Sequence, residues 1–156
     1  MTKTNALRLL ESAKIDFETV EYTVDESDLS GVHIAEILGQ DPDRIFKTLI
    51  CVDDKGYHHV FCIPVAYELD LKKCAVAAGV KRVEMIPVKE LLPLTGYIRG
   101  GCSPVGMKKK FPTYIDETAT LCEKIYVSGG MRGLQMVLSP TDLAEYVDAK
   151  FSDLIK

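Results

Sequence analysis

Lys47 lies in a run of apolar and β-branched residues, 45–52 (IFKTLICV), where a charge is out of place. Strand side chains alternate between faces, so Lys47 shares one face with Ile45, Leu49 and Cys51. Phe46, Thr48, Ile50 and Val52 take the other. Neither face reads as solvated. The lysine therefore either stands at a strand end with its amine reaching water or is held in a cleft. In a cleft, loss of hydration lowers its pKa, and the amine becomes a base or a hydrogen-bond partner.

A second chemical feature is the loop at residues 96–106 (GYIRGGCSPVG), which holds four of the eleven glycines. The adjacent Gly100 and Gly101 let a backbone come close to a ligand and offer it N–H groups, donors suited to a carbonyl or a developing oxyanion. The same pair also fits a tight turn that needs positive φ. Between Arg99 and Ile115 stand four basic residues, Arg99, Lys108, Lys109 and Lys110, and no acid. In a chain of net charge −4, that local excess suits a phosphate backbone, although three lysines in a row also suit a solvated loop. A third element, YVSGG at 126–130, puts Ser128 where a strand meets a turn. No GxSxG elbow surrounds it, which argues against a serine nucleophile.

Other chemistries find little support. His33, His58 and His59 make no metal-ligand spacing, and no HExxH, Walker loop or GxGxxG is present, so no metal or cofactor is expected. Cys51, Cys62, Cys74, Cys102 and Cys122 are odd in number and form no CxxC pair. They read as small buried hydrophobes in a reducing compartment. The net charge of −4 excludes a protein that coats nucleic acid, but a local basic patch can still dock one RNA end. No helix-turn-helix with a basic recognition helix is evident, so no DNA reading is expected. No apolar run is long enough for a membrane span, and the N-terminal residues carry charges where a secretory signal needs an apolar block. A cytosolic address is the expectation.

These groups need a frame. With 156 residues, one domain over 1–156 with a single core is expected. The pattern predicts a helix over 5–13 capped by Thr4, with Ala6, Leu9, Leu10 and Ala13 on one face. It predicts a strand over 17–24 and a helix over 32–38 stopped at Gly39. Residues 46–52 and 57–63 form a hairpin around Asp53-Asp54-Lys55-Gly56. A helix over 71–78 is capped by Asp70 and ended by Gly79. A short strand at 81–86 and a short helix at 88–92 follow. Further strands fall at 114–115, 124–128 and 134–138. Ser139-Pro140-Thr141-Asp142 starts a last helix. The mixture implies an α/β protein with a mixed sheet, not a doubly wound parallel one.

The motifs FKTL at 46–49, PV at 64–65, LDLKK at 69–73, TGYIRGGCSPVGMKKKFPTYID at 95–116 and IYVSGGMRGL at 125–134 resemble the YbaK/EbsC family. Its members are free-standing aminoacyl-tRNA deacylases related to the editing domain of bacterial prolyl-tRNA synthetases. The resemblance covers nearly the whole chain. It implies a mixed, mostly antiparallel sheet or barrel-like core surrounded by helices. It also implies removal of cysteine mischarged onto proline tRNA, with aminoacylated tRNA, and prolyl-tRNA synthetase as a possible second partner. The substrate's own thiol would attack the ester, without metal or protein nucleophile. By resemblance the essential lysine is Lys47, and the glycine facing the ester is Gly101. Tyr22, Thr48, Gly100 and Ser128 would contact substrate, and Arg99 with Lys108–Lys110 the tRNA. Where the family often has an aspartate after RGL this chain has Gln135, at the place that holds the substrate amine. A family phenylalanine near the second helix falls at Leu29 or Ser30. That leaves open another mischarged amino acid, such as alanine, or a module that binds aminoacyl-tRNA or a synthetase without catalysis.

Overall fold

The computed structural model describes residues 3–156. Its elements, in chain order, begin with α1 (Asn5–Ser12), β1 (Glu18–Glu21) and α2 (Gly31–Leu38). The hairpin β2 (Phe46–Asp53) and β3 (His58–Pro64) follows, then α3 (Leu71–Ala78), β4 (Val83–Met85) and α4 (Leu91–Thr95). The chain closes with β5 (Thr113–Asp116), β6 (Ile125–Ser128), β7 (Leu134–Leu138), α5 (Pro140–Val147) and β8 (Lys150–Ser152). Among the described residues no helix is long and apolar enough to cross a membrane.

Local signals set most of these boundaries. Thr4, Ser30, Asp70 and Ser139 each accept a hydrogen bond from the first turn of the helix they precede. Gly39 and Gly79 end α2 and α3 in left-handed conformation. On α1 the buried residues are Ala6, Leu7 and Leu10, so Leu7 takes the place expected of Ala13. The strand expected over 17–24 is shorter, because its partner β7 has only five residues; the ladder ends one step on, where Tyr22 N–H meets Gly133 C=O. β8 had no sequence signal: it is exposed Lys150 and half-buried Phe151 and Ser152, which pair with β5 only because α5 returns the chain there.

Two sheets result, ordered β1-β7-β6 and β4-β2-β3-β5-β8. The pairings β1–β7, β6–β7, β2–β3 and β2–β4 are antiparallel, and β3–β5 and β5–β8 parallel, so the mixed and mostly antiparallel reading holds. The barrel-like alternative does not: among the described residues one parallel backbone bridge, Ile45–Tyr126, joins the sheets, and no ring closes. Phe46, Ile50, Val60, Cys62 and Ile115 pack with α1, α5 and the inner side chains of β6 and β7. On the opposite face Cys51, Phe61, Ile63 and Tyr114 pack with Cys74 of α3, as strand alternation requires.

The β2–β3 turn is built on one carboxylate. Asp53 accepts from Lys55 N–H at 2.8 Å, Tyr57 N–H at 3.0 Å and His59 Nε2–H at 2.9 Å. The side chains of Asp53 and His59 are almost fully buried. The His59 hydrogen bond, with those two backbone donors, holds the Asp53 carboxyl below its ordinary value of 3.8. A carboxyl with a lowered folded pKa stabilises the fold above its unfolded pKa and loses that effect as pH falls through its folded one. Asp53→Asn should therefore lower Tm by about 5 °C or more at pH 7, and the gap to wild type should close below about pH 4 in thermal melts across pH.

Candidate functional site

The interruption between the two sheets makes the site. In an antiparallel pair, alternate residues bond to the partner strand. Val65 N–H to Ile45 C=O at 2.9 Å and Asp53 N–H to Tyr57 C=O at 2.8 Å place the odd residues of β2 against β3. The even residues turn their N–H and C=O the other way, where Ile86 N–H meets Ile50 C=O at 3.2 Å. On that side β4 covers only Cys51–Asp53, and β6 joins only at Ile45. The same parity on β6 follows from Gly129 N–H to Leu134 C=O at 2.9 Å, and it turns Ser128 toward β2. Strand edges with groups still facing one another thus run on past the last bridge, and a cavity of about 550 Å³ opens there.

The cavity lining joins a set of polar groups to buried Ile45, Phe46 and Ile50 and to an apolar rim. Lys47, Thr48, Ser128 and Gln135 come from the strands, and Arg99, Gly100 and Cys102 from the glycine loop. Ile34 of α2 and Met85, Ile86, Val88 and Leu91 around β4 and α4 supply apolar walls. Its lining contains two cations and no carboxylate. Of the two alternatives for Lys47, the structure selects the cleft. Burial pushes its amine below 10.5, against a smaller upward pull from the charge of Glu68.

The lining thiol and hydroxyl are poorly suited to attack. Burial pushes the Cys102 thiol up to about 12, and that of Cys62 behind it likewise. Ser128 Oγ accepts from Gly130 N–H at 3.2 Å, and no histidine lines the cavity to take its proton. Thr48 Oγ1 turns toward Cys62 Sγ, 3.7 Å away in the core. Gln135 is 3 % exposed, and its Oε1 has no hydrogen-bond partner among the described residues. A buried acceptor left open in a cavity wall waits for a donor.

Of the residues singled out from sequence, Lys47, Thr48, Arg99, Gly100, Ser128 and Gln135 come together in this lining. Gly101 does not join them. Its N–H goes to Ile98 C=O at 2.9 Å, so it is not the open donor that the adjacent glycines suggested. A Cβ on Gly101 would lie 3.0 Å from Arg132 N and 3.1 Å from Met131 backbone atoms, so the glycine serves packing against the β6–β7 turn. Tyr22 lines a separate crevice of about 10 Å³, shared with Gly100 and Arg132. Lys108, Lys109 and Lys110 lie outside the lining. Lys108 covers Gly96, and Lys110 borders a shallow groove of about 340 Å³ with Lys150 and Asp148.

Two features escaped the sequence reading. Arg132 donates through Nε to Arg99 C=O at 2.8 Å and through Nη1 to Glu26 at 3.2 Å, tying the glycine loop to the segment that leads into α2. Its only sequence signal is a charge inside a glycine turn. The apolar rim of Met85, Ile86, Val88 and Leu91 had no signal, because such residues read as ordinary core.

Three comparisons bear on this arrangement. Residues 30–146 match the profile described as an aminoacyl-tRNA editing domain. A protein of Enterococcus faecalis, provisionally named Cys-tRNA(Pro)/Cys-tRNA(Cys) deacylase EbsC, is 47 % identical over 152 residues, 97 % of this chain and 93 % of that relative. A crystal structure described provisionally as a trans-editing enzyme for prolyl-tRNA synthetase superposes with a TM-score of 0.82 at 26 % identity, covering 97 % of this chain and 92 % of the other. The crystal structure of hypothetical protein APE2540, at 24 % identity and TM-score 0.87 over 96 % of this chain and 97 % of that one, shares the fold. The chain belongs to the aminoacyl-tRNA editing domain family.

Proposed function

We propose that this chain is a trans-editing deacylase that removes cysteine from mischarged proline tRNA. One observation carries the reading: a cavity holds a partly desolvated lysine and a second cation, with no carboxylate and no activated nucleophile in its lining. Such a site binds and polarises an ester, and leaves the attack to the substrate. The name carried by the Enterococcus faecalis relative agrees in substrate and reaction.

The chemistry then proceeds as follows. The cysteinyl thiol gives up its proton, and its sulfur attacks the carbonyl carbon of its own ester. The C–S bond forms as the C–O bond to the terminal ribose breaks. The departing ribose oxygen takes up a proton, which leaves intact tRNA and a cyclic thiolactone. Lys47 polarises the ester and steadies the departing oxygen. The open Oε1 of Gln135 accepts from the substrate amine, the part an aspartate plays by resemblance. Arg99 meets the terminal phosphate, and Lys108, Lys109 and Lys110 lie along the acceptor stem. Tyr22 and Gly101 act behind the loop, as its support. A chain of net charge −4 has little general hold on tRNA, so it takes its substrate together with prolyl-tRNA synthetase in the cytosol, as a single editing unit.

Deacylation of Cys-tRNA(Pro), Ala-tRNA(Pro) and Pro-tRNA(Pro) tests this reading. Wild type should release tRNA from the cysteinyl ester, and Lys47→Ala should lower that rate about 100-fold or more. Cys102→Ala should lower it less than tenfold; a loss matching Lys47→Ala would make Cys102 the nucleophile. Release as fast from the thiol-free alanyl ester would sink the substrate-thiol mechanism.

Gln135→Leu, which fills the same space without the acceptor, should raise KM about tenfold with a smaller effect on kcat. An unchanged KM would remove Gln135 from amine binding.

Lys47 also links stability to function. A lysine with a lowered folded pKa burdens the fold while it is charged, and wild-type stability rises as pH climbs from the folded pKa to the unfolded value near 10.5. Lys47→Met should thus be inactive yet melt no lower than wild type at pH 7, and any gain should fade toward pH 10.5. A lower Tm would show that the ammonium stabilises the fold.

A further inference from the structure

Of the two amides that the glycine pair advertised, that of Gly101 is already engaged, which leaves open where the ester oxygen finds a backbone donor. We propose that the donor is the N–H of Thr48, on the bare edge of β2, and that the cavity receives the aminoacyl group as a short extra strand segment. This rests on the editing reading above and assigns it a specific atom.

Four observations converge. First, strand parity turns the N–H and C=O of Thr48 away from β3, toward the gap, and Thr48 lines the cavity. Second, among the described residues neither neighbouring strand bridges that stretch: β4 pairs with Cys51–Asp53 and its bonding ends where Ile86 N–H meets Ile50 C=O, and β6 bridges β2 at Ile45. An edge of this kind is the ordinary docking place for an extended backbone. Third, the Thr48 side chain is directed elsewhere, 3.7 Å from Cys62 Sγ, so what Thr48 offers the cavity is its backbone. Fourth, Gly101 N–H is bonded to Ile98 C=O.

An aminoacyl ester carries the atoms a strand edge pairs with. Its carbonyl oxygen accepts from Thr48 N–H. Its amine donates to the orphaned Gln135 Oε1 on the far side of the gap. Recognition of these common atoms holds any aminoacyl group in one orientation beside the Lys47 ammonium. Discrimination between amino acids is then left to the apolar rim. The arrangement also explains why a donor is well placed without a glycine: a rigid strand, fixed by its ladder to β3, presents the amide.

The sequence supplies a route to the test, because Cys51 is a native ligation junction. A synthetic segment of residues 1–50 with an ester in place of the 47–48 amide, joined to recombinant 51–156, removes the N–H of Thr48 and otherwise only weakens the Lys47 C=O as an acceptor in the ladder to β3. Its kcat on Cys-tRNA(Pro) should fall about 100-fold with KM changed less than threefold. Thr48→Val, which keeps the N–H and loses the hydroxyl, should lose at least tenfold less. The ester at 48 should melt within a few degrees of the all-amide protein, about 2–4 °C at most, whereas an ester at 49, within the ladder to β3, should melt lower than either. A loss from Thr48→Val equal to that from the ester would assign the role to the hydroxyl and overturn the proposal. So would an ester protein as active as wild type.

A second measurement separates this proposal from the editing reading. Titration of the 15N-labelled protein with 3′-deoxy-3′-(L-cysteinyl)amido-adenosine, which cannot be deacylated, should move the Thr48 amide proton downfield and leave that of Gly101 in place. A wild-type protein that shows this shift but releases no tRNA would remove the editing reading and keep the strand-edge donor. No shift at Thr48 would remove the donor whatever the activity.

Discussion

Everything at the site depends on the place where a sheet fails to continue. β2 is paired along its whole length with β3, and that ladder makes it rigid. On its other side the pairing is broken between the bridge at Ile45 and Ile50, whose C=O meets Ile86 N–H at the end of the β4 pairing. An unpaired edge inside a protein is costly, since backbone N–H and C=O groups want partners. Here the edge opens into a cavity instead of being covered. The segments that could have filled the gap, α2, the loop at 96–106 and the stretch from β4 to α4, stop short and become its walls.

The electrostatics follow from that geometry. Lys47 is close enough to the core to lose hydration and close enough to the cavity to meet a ligand. The same burial that lowers the Lys47 pKa pushes the neighbouring thiols up to about 12, so the lining offers a poorly hydrated amine and no protein nucleophile. Arg132 works at a distance from this chemistry. By joining the Arg99 carbonyl to Glu26 it relates two walls that the sheets alone would leave independent.

Much of this was legible in the chain. Helix caps and stops are local chemistry, so Thr4, Asp70, Ser139, Gly39 and Gly79 could be read directly. The hairpin around Asp53 is equally local. Lys47 stood out because a charge in a strand pattern contradicts its neighbours, and Gln135 because it departs from a family pattern. Gly101 misled for a physical reason. Adjacent glycines signal close backbone approach, but not what approaches, and the answer was Arg132 and Met131 of the next turn. The lysine run at 108–110 reads as a tRNA contact or a solvated loop, and its position outside the cavity lining was not readable.

The sequence by itself determined the element types, most of their boundaries, the family motifs and the identity of the unusual lysine. These rest on interactions within a few residues, or on patterns that repeat along one strand or helix. Only the tertiary structure decided which strand edge stays open, that Thr48 faces the gap through its backbone, that Gln135 Oε1 is left without a partner, and that an apolar rim faces two cations. Those depend on where β4 and β6 stop relative to β2, residues distant in the chain whose pairing leaves no local trace. A strand's hydrophobic pattern records which faces are buried, but the state of its edges is set by its neighbours.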